Sequence, residues 1–188
     1  MRSIEGQNYP HRVIVGNDSN DSYCLQYQPV RYGMQSSNRR YLDLKNYKTL
    51  HFPYNIYLNR LMKEVKEGWV MVLDDDNALM PGALERIGQE LTEENRVVFW
   101  RVNICGKIYP SNENWRKRPR VKDIDMGGFC FHSKYIPLCQ FDPYKQADYR
   151  VADRLYSILN SVWIDDVLVR AQREEWEVSG LRMDKQSI

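Results

Sequence analysis

Three consecutive carboxylates, Asp74, Asp75 and Asp76, followed by Asn77, are the densest group of chemistry-bearing side chains in the chain. Crowded carboxylates repel and raise one another's pKa, so such a group is most readily stabilised by a divalent cation. Mg2+ or Mn2+ suits an all-oxygen donor set. Held by one or two carboxylates, either ion keeps open positions with which to hold and neutralise a diphosphate. A nucleotide-linked substrate is the expectation. The structural alternative is that Asp76 or Asn77 starts the following helix and the other carboxylates line a solvated turn.

Whatever positions these carboxylates must lie just before them. The run WVMVL, residues 69–73, is apolar at five successive positions, which predicts a central strand buried on both faces. Ligands of open α/β sheets bind outside the carboxyl ends of strands, where the triplet falls. Other short apolar runs, at residues 12–15, 48–52, 97–104, 129–131 and 167–169, read as strands and alternate with helical patterns, the signature of α/β layering. Leu58, Leu61, Met62 and Val65 follow the i, i+3, i+4, i+7 spacing of a helix that covers the sheet. Pro81 opens a second helix with Leu84, Ile87 and Leu91 on one face.

The chain has 188 residues, 43% of them apolar, with five Trp and thirteen Tyr, enough for one globular domain over residues 1–188. Its formal charge of +2 argues against bulk binding to nucleic acid or a membrane surface. No apolar run approaches the roughly 20 residues of a transmembrane helix, and MRSIEGQNYP lacks a secretory signal pattern, so a cytoplasmic location is expected. Cys24, Cys105, Cys130 and Cys139 have no metal-ligand spacing and read as buried small hydrophobes.

Four landmarks in order carry a resemblance. The chain opens RSIEGQNYPHRVIVGNDSND, with a polar acidic turn after a short strand; NIYLNRLMKEVKEGWVMVLDDDN places an Asn-bearing helix before a Gly-aromatic step, a strand and an Asp-any-Asp motif; DMGGFCF supplies a glycine turn; ADYRVADRL places an Asp at the start of a helix. This series resembles inverting glycosyltransferases of family 2, nucleotide-sugar enzymes. The resemblance implies an α/β, GT-A-like fold with a mostly parallel central sheet flanked by helices, built from a Rossmann-like nucleotide-binding half and an acceptor half. It also implies that the chain starts inside the family's first helix, N-terminally short by one strand. Because GNDSND is one residue shorter than the family turn, either Asn17 or Asp18 takes the position that meets the uracil ring.

On this resemblance Asn17 or Asp18, Asn59, Asp74 and Asp75 serve the donor, Asp76 and Asp74 hold Mn2+ or Mg2+, and Gly127 and Gly128 form the acceptor-side turn. Asp148 is the expected catalytic base. Asp153 lies five residues beyond it, roughly 140° round a helix, so the two cannot face one hydroxyl. Asp153, or the pair Asp165 and Asp166 in a turn before VLVR, remain alternatives. The implied partners are a nucleotide-sugar donor, UDP-linked, and a glycan or other hydroxyl acceptor; neither nucleic acid nor a transmembrane segment is expected, and a homodimer is left open. Competing classes are a metal-dependent nucleotidyl- or phosphotransferase and a non-catalytic sugar- or partner-binding module. Residues 114–122, NWRKRPRVK, suit a mobile lid, a grip on diphosphate or an anionic acceptor, or a solvated loop. Trp115, Trp163, His11, His51 and His132 receive no role.

Overall fold

The computed structural model describes residues 2–17, 39–44, 53–142 and 146–171. In chain order the elements are α1 (Arg2–Glu5), β1 (Val13–Asn17), β2 (Arg39–Asp43), α2 (Pro53–Met62), β3 (Trp69–Met71), β4 (Asn77–Leu79), α3 (Ala83–Gly88), β5 (Arg96–Ile104), β6 (Lys107–Tyr109), a 3-10 turn (Met126–Gly128), β7 (Phe129–His132), a second 3-10 segment (Ser133–Leu138), α4 (Ala147–Ile158) and β8 (Asn160–Ala171). The predicted strand at residues 48–52 lies outside the described residues, as do Asp18, Cys24 and His51.

The organising strand is β5. Its sequence RVVFWRVNI is buried from Val97 to Val102, because it is covered on both faces. Val97 and Phe99 face a cluster that includes Leu58 and Met62 of α2 and Val151 and Leu155 of α4. Val98, Trp100 and Val102 face the other side, with Ala83 and Ile87 of α3. Period-two alternation thus sends successive β5 side chains into two cores, and each fully buried aliphatic side chain such as Leu155 contributes about 1.5–3 kcal/mol of hydrophobic stabilisation.

The six-stranded sheet runs β3-β7-β5-β8-β4, with β6 also on β5. Only β5 and β8 run parallel; β3 with β7, β7 with β5, β4 with β8 and β6 with β5 are antiparallel. The expectation of a mostly parallel sheet is therefore corrected: the sheet is mixed. Short connections such as the Cys105–Gly106 turn between β5 and β6 impose antiparallel pairing, since a parallel partner needs a long crossover. The expectation that β3 is central is corrected too, because among the described residues it ends the sheet and only Val70 is buried. A separate parallel pair joins β1 to β2, with Asn17 opposite Asp43.

β8 is far longer than the predicted 167–169. Against β5 its register jumps from Trp100↔Ile164 to Arg101↔Val167 and then to Val102↔Val169, so Asp165 and Asp166 sit in a bulge inside the strand and not in a turn before it. Bulges re-aim side chains. Here Asp165 meets Arg101 at 2.5 Å and Asp166 meets Arg86 of α3 at 3.2 Å. Cys130 and Cys139 are buried as expected, whereas Cys105, in the β5–β6 turn, is exposed. Among the described residues no helix is long and apolar enough to cross a membrane.

Candidate active site

β3 ends at Met71, and the chain turns through Asp75 and Asp76 directly into β4. The triplet therefore occupies a tight corner between two strands, not the start of a helix. The Asn77 N–H closes that corner on the Asp74 carbonyl at 3.1 Å. Asp75 is exposed, while Asp74 and Asp76 are half-buried. The Tyr54 hydroxyl of α2 donates to Asp74 Oδ1. Tyr54 is 43% exposed; the partial burial of its ring followed by the Asp74 charge raises its pKa above the ordinary phenol value. Burial likewise raises the Asp74 carboxyl; the bond from Tyr54 opposes that shift, and the charges of Asp125, Asp76 and Asp75 add to it.

Gly127 and Gly128 form the 3-10 turn that leads into β7. Asp125 caps it: its Oδ1 accepts from the Gly127 N–H at 2.9 Å, and its carbonyl accepts from the Gly128 N–H at 2.9 Å. The Trp100 indole pins the turn from beneath by donating to the Gly127 carbonyl at 2.7 Å. Both glycines lie in close approach to their neighbours. A Cβ on Gly128 would stand 3.2 Å from Val102 Cγ2, and one on Gly127 would stand 3.3 Å from Asp125 Oδ1.

Asp148 lies in the first turn of α4, where the helix N-terminus favours negative charge. Its Oδ1 accepts from the Tyr149 N–H at 2.8 Å. Burial nonetheless raises its pKa; that hydrogen bond opposes the shift, and the Asp125 charge adds to it. The competing carboxylates are differently placed. Asp153 is held by Arg118 at 2.5 Å, Asp165 by Arg101 at 2.5 Å and Asp166 by Arg86 at 3.2 Å. Asp148 makes no ion pair among the described residues.

Asp125 is thus within electrostatic reach of both Asp74 and Asp148, and it joins the acidic corner to the start of α4. Sequence reasoning named the glycines and passed over the carboxylate two residues ahead of them, as it passed over Tyr54. Asn59 is placed elsewhere in its hydrogen bonding: its Nδ2 donates to the Phe141 carbonyl at 2.9 Å and its Oδ1 accepts from the Phe141 N–H at 2.8 Å. Those two bonds fasten α2 to the segment leading to α4. Asn17 ends β1, and Asp18 lies beyond the described residues.

The donor set suits a hard cation. Among the described residues no three His, Cys, Asp or Glu side chains converge into a ready-made metal cage, so the protein would supply one or two carboxylates and leave open positions, as Mg2+ does when it bridges a diphosphate. Beside the triplet, the Oδ1 of Asn77, a residue only 5% exposed, has no hydrogen-bond partner among the described residues. A buried acceptor in that state calls for a cation or a donor group.

The fold is similar to that of S. aureus TarS, a glycosyltransferase. One TarS structure, of residues 1–349, matches with a TM-score of 0.70 at 15% identity, covering 94% of this chain and 57% of that one; a longer TarS structure matches with the same TM-score at 14% identity, covering 94% and 35%. The chain has a mixed α/β, glycosyltransferase-like fold. It spans just over half of the shorter TarS chain. No protein-family model matches the sequence, and no curated protein does.

Proposed function

We propose that the chain is a metal-dependent, inverting glycosyltransferase of the family 2 kind, moving a sugar from a UDP-linked donor to an acceptor hydroxyl. The observation that carries this reading is the acidic corner of Asp74, Asp75 and Asp76 that follows β3, with the Tyr54 hydroxyl bonded to Asp74, on a fold shared with TarS. Asp74 and Asp76 are the residues that would hold Mn2+ or Mg2+, and when bound such an ion stabilises the negative charge that develops on the departing diphosphate.

The chain's own part centres on Asp148. Its ionised carboxylate takes the proton of the acceptor hydroxyl as that oxygen gives an electron pair to the anomeric carbon, while the bond to the diphosphate oxygen breaks with its electrons. One displacement inverts the anomeric centre. A base raised above the ordinary carboxylate range by burial is better matched to a hydroxyl proton than a solvated one. Tyr54 orients Asp74, and the Gly127–Gly128 turn holds Asp125 as its cap.

The test is product analysis. Incubation with Mn2+ and a panel of UDP-sugars should release UDP and transfer sugar with inverted configuration. Incorporation of nucleotide monophosphate with release of pyrophosphate would instead identify a nucleotidyltransferase. Sugar binding without turnover and without metal dependence would identify a binding module.

A further inference from the structure

Asp148 stands in the first turn of a helix that has no side-chain cap among the described residues. Gln146, at the N-cap position of α4, holds a left-handed backbone angle of φ 70° and gives no capping bond. The N–H groups of a first turn have no intrahelical partner, and uncapped ends fray. A base in such a turn keeps its aim only when other elements hold the helix. The bond from the Tyr149 N–H to Asp148 Oδ1 is internal to the turn and does not fasten it to its neighbours. A further grip on α4, from Arg118 to Asp153, falls more than a turn beyond Asp148.

Residues 138–142 supply the hold, and side chains strap them from both sides. From α4, Arg154 Nη1 donates to the Leu138 carbonyl at 2.6 Å, and Arg150 Nη1 meets Asp142 Oδ2 at 3.4 Å. From α2, Asn55 Nδ2 donates to the Asp142 carbonyl at 2.6 Å, and the Asn59 amide pairs with the N–H and carbonyl of Phe141. Asn55 and Asn59 are four residues apart and share one helix face. Between the straps, Cys139 and Phe141 are buried in the core that also holds Ala147 and Val151 of α4. α2 is tied in turn to the acidic corner, because Tyr54, next to Asn55, donates to Asp74.

We propose that Asn55 and Asn59 are positioning residues for the base: through residues 138–142 they fix the first turn of α4, and so Asp148, relative to the Asp74–Asp76 corner. This inference rests on the transferase reading and moves Asn59 from holding the donor to aiming the base. Apolar packing alone is non-directional and leaves the register of the 138–142 segment open. An Asn amide offers a donor and an acceptor at fixed spacing, so Asn59 grips the Phe141 backbone as a neighbouring strand would and sets that register. Precision matters at the base. A general base must stand about 3 Å from the proton it takes, and a misplacement of about 1 Å costs about 100-fold in rate.

The test compares the full wild-type chain with N59L, which deletes both bonds to Phe141, and with R154M, which keeps the side-chain stem and deletes the bond to Leu138 from the α4 side. Each is assayed in Mn2+ for hydrolysis of a panel of UDP-sugars to UDP and free sugar, with water as the acceptor. UDP calorimetry and circular dichroism run in parallel. kcat should fall about tenfold or more in N59L and about threefold or more in R154M, with KM for the UDP-sugar and Kd for UDP within twofold. R154K restores a donor facing the Leu138 carbonyl and should recover at least half of the wild-type kcat. A folded N59L with kcat within threefold of wild type would overturn the proposal. So would UDP affinity falling in step with kcat, which would return Asn59 to the donor site. Should N59L not fold, R154M and R154K decide: wild-type kcat in the first, or no recovery in the second, overturns the positioning role. A wild type that hydrolyses no UDP-sugar would overturn the transferase reading beneath it, whereas normal wild-type turnover with unmoved variants would overturn this role alone.

Discussion

Replacing Asp148 with Asn keeps the side-chain shape and deletes the base, and it should be read in two independent ways. Removing a positioned general base costs about 10^2–10^4 in rate, which corresponds to about 3–5 kcal/mol of transition-state stabilisation. Because Asp148 sits on α4 and Asp74 and Asp76 in the corner between β3 and β4, kcat should fall by that factor while UDP affinity in Mn2+ stays within twofold. The second reading is stability. Burial holds the folded pKa of Asp148 above its unfolded value, so the carboxyl contributes stability that is complete below the unfolded pKa and lost as pH rises through the folded one. At neutral pH the ionised, buried group is therefore a burden that Asn removes. Asp148→Asn should be more stable than the wild type at pH 7. That advantage should disappear below the ordinary carboxylate range. Thermal melts across pH, together with single-turnover kinetics, check both. Transfer within tenfold of wild type, or loss of UDP binding in step with kcat, would refute the assignment of the base; a dead Asp166→Asn beside an active Asp148→Asn would move it to β8.

Wild-type kcat/KM should fall on the acid side through a pKa above the ordinary carboxylate range, since burial raises Asp148 and only its ionised form can accept the proton; a limb at the unperturbed position would contradict this. Tyr54→Phe removes the bond donated to the half-buried Asp74 carboxylate, so Mn2+-dependent UDP binding should weaken by about 1 kcal/mol, measured by calorimetry. Gly128→Ala places a methyl group 3.2 Å from Val102 Cγ2 and should destabilise the fold by about 1–3 kcal/mol in urea titration. Arg101→Lys keeps charge but not the fork that meets Asp165, the Pro110 carbonyl and Asn112, and should lose about 1–3 kcal/mol of stability with UDP affinity unchanged.

The parts of this molecule that were legible in the sequence are those fixed by local composition. An apolar run followed by three carboxylates reads as a strand end whatever its partners, and residues 69–76 form one. The landmark ADYRVADRL likewise places Asp148 at the start of a helix, and the first turn of α4 holds it. Strand direction is another matter. The run at 97–104 is apolar because it is covered on both faces, and that property says nothing about whether its neighbours run with or against it; β7 and β6, sharing one edge of β5, are both antiparallel. Asp165 and Asp166 look like a turn because two charges interrupt an apolar pattern. In the fold they are extra residues of a bulge whose charges are taken up by Arg101 and Arg86, a solution that depends on side chains more than 60 residues away.

Asp125 shows how a carboxylate near the candidate site escapes a reading of the sequence. In sequence it is one Asp ahead of two glycines, a pattern that a capped turn explains completely, and it does cap that turn. Its further role arises only because Gly127 and Gly128 lack side chains. The turn can then sink onto Trp100 and Val102 of β5, bringing the cap's carboxylate into the field of Asp74 from one strand end and Asp148 from a helix 23 residues further on. Like charges gathered this closely are unfavourable for folding. Asp125 raises the cost of ionising both Asp74 and Asp148, whereas the rival carboxylates Asp153, Asp165 and Asp166 are each held by an arginine, so under the proposed reading Asp148 is the carboxylate left to take up a proton.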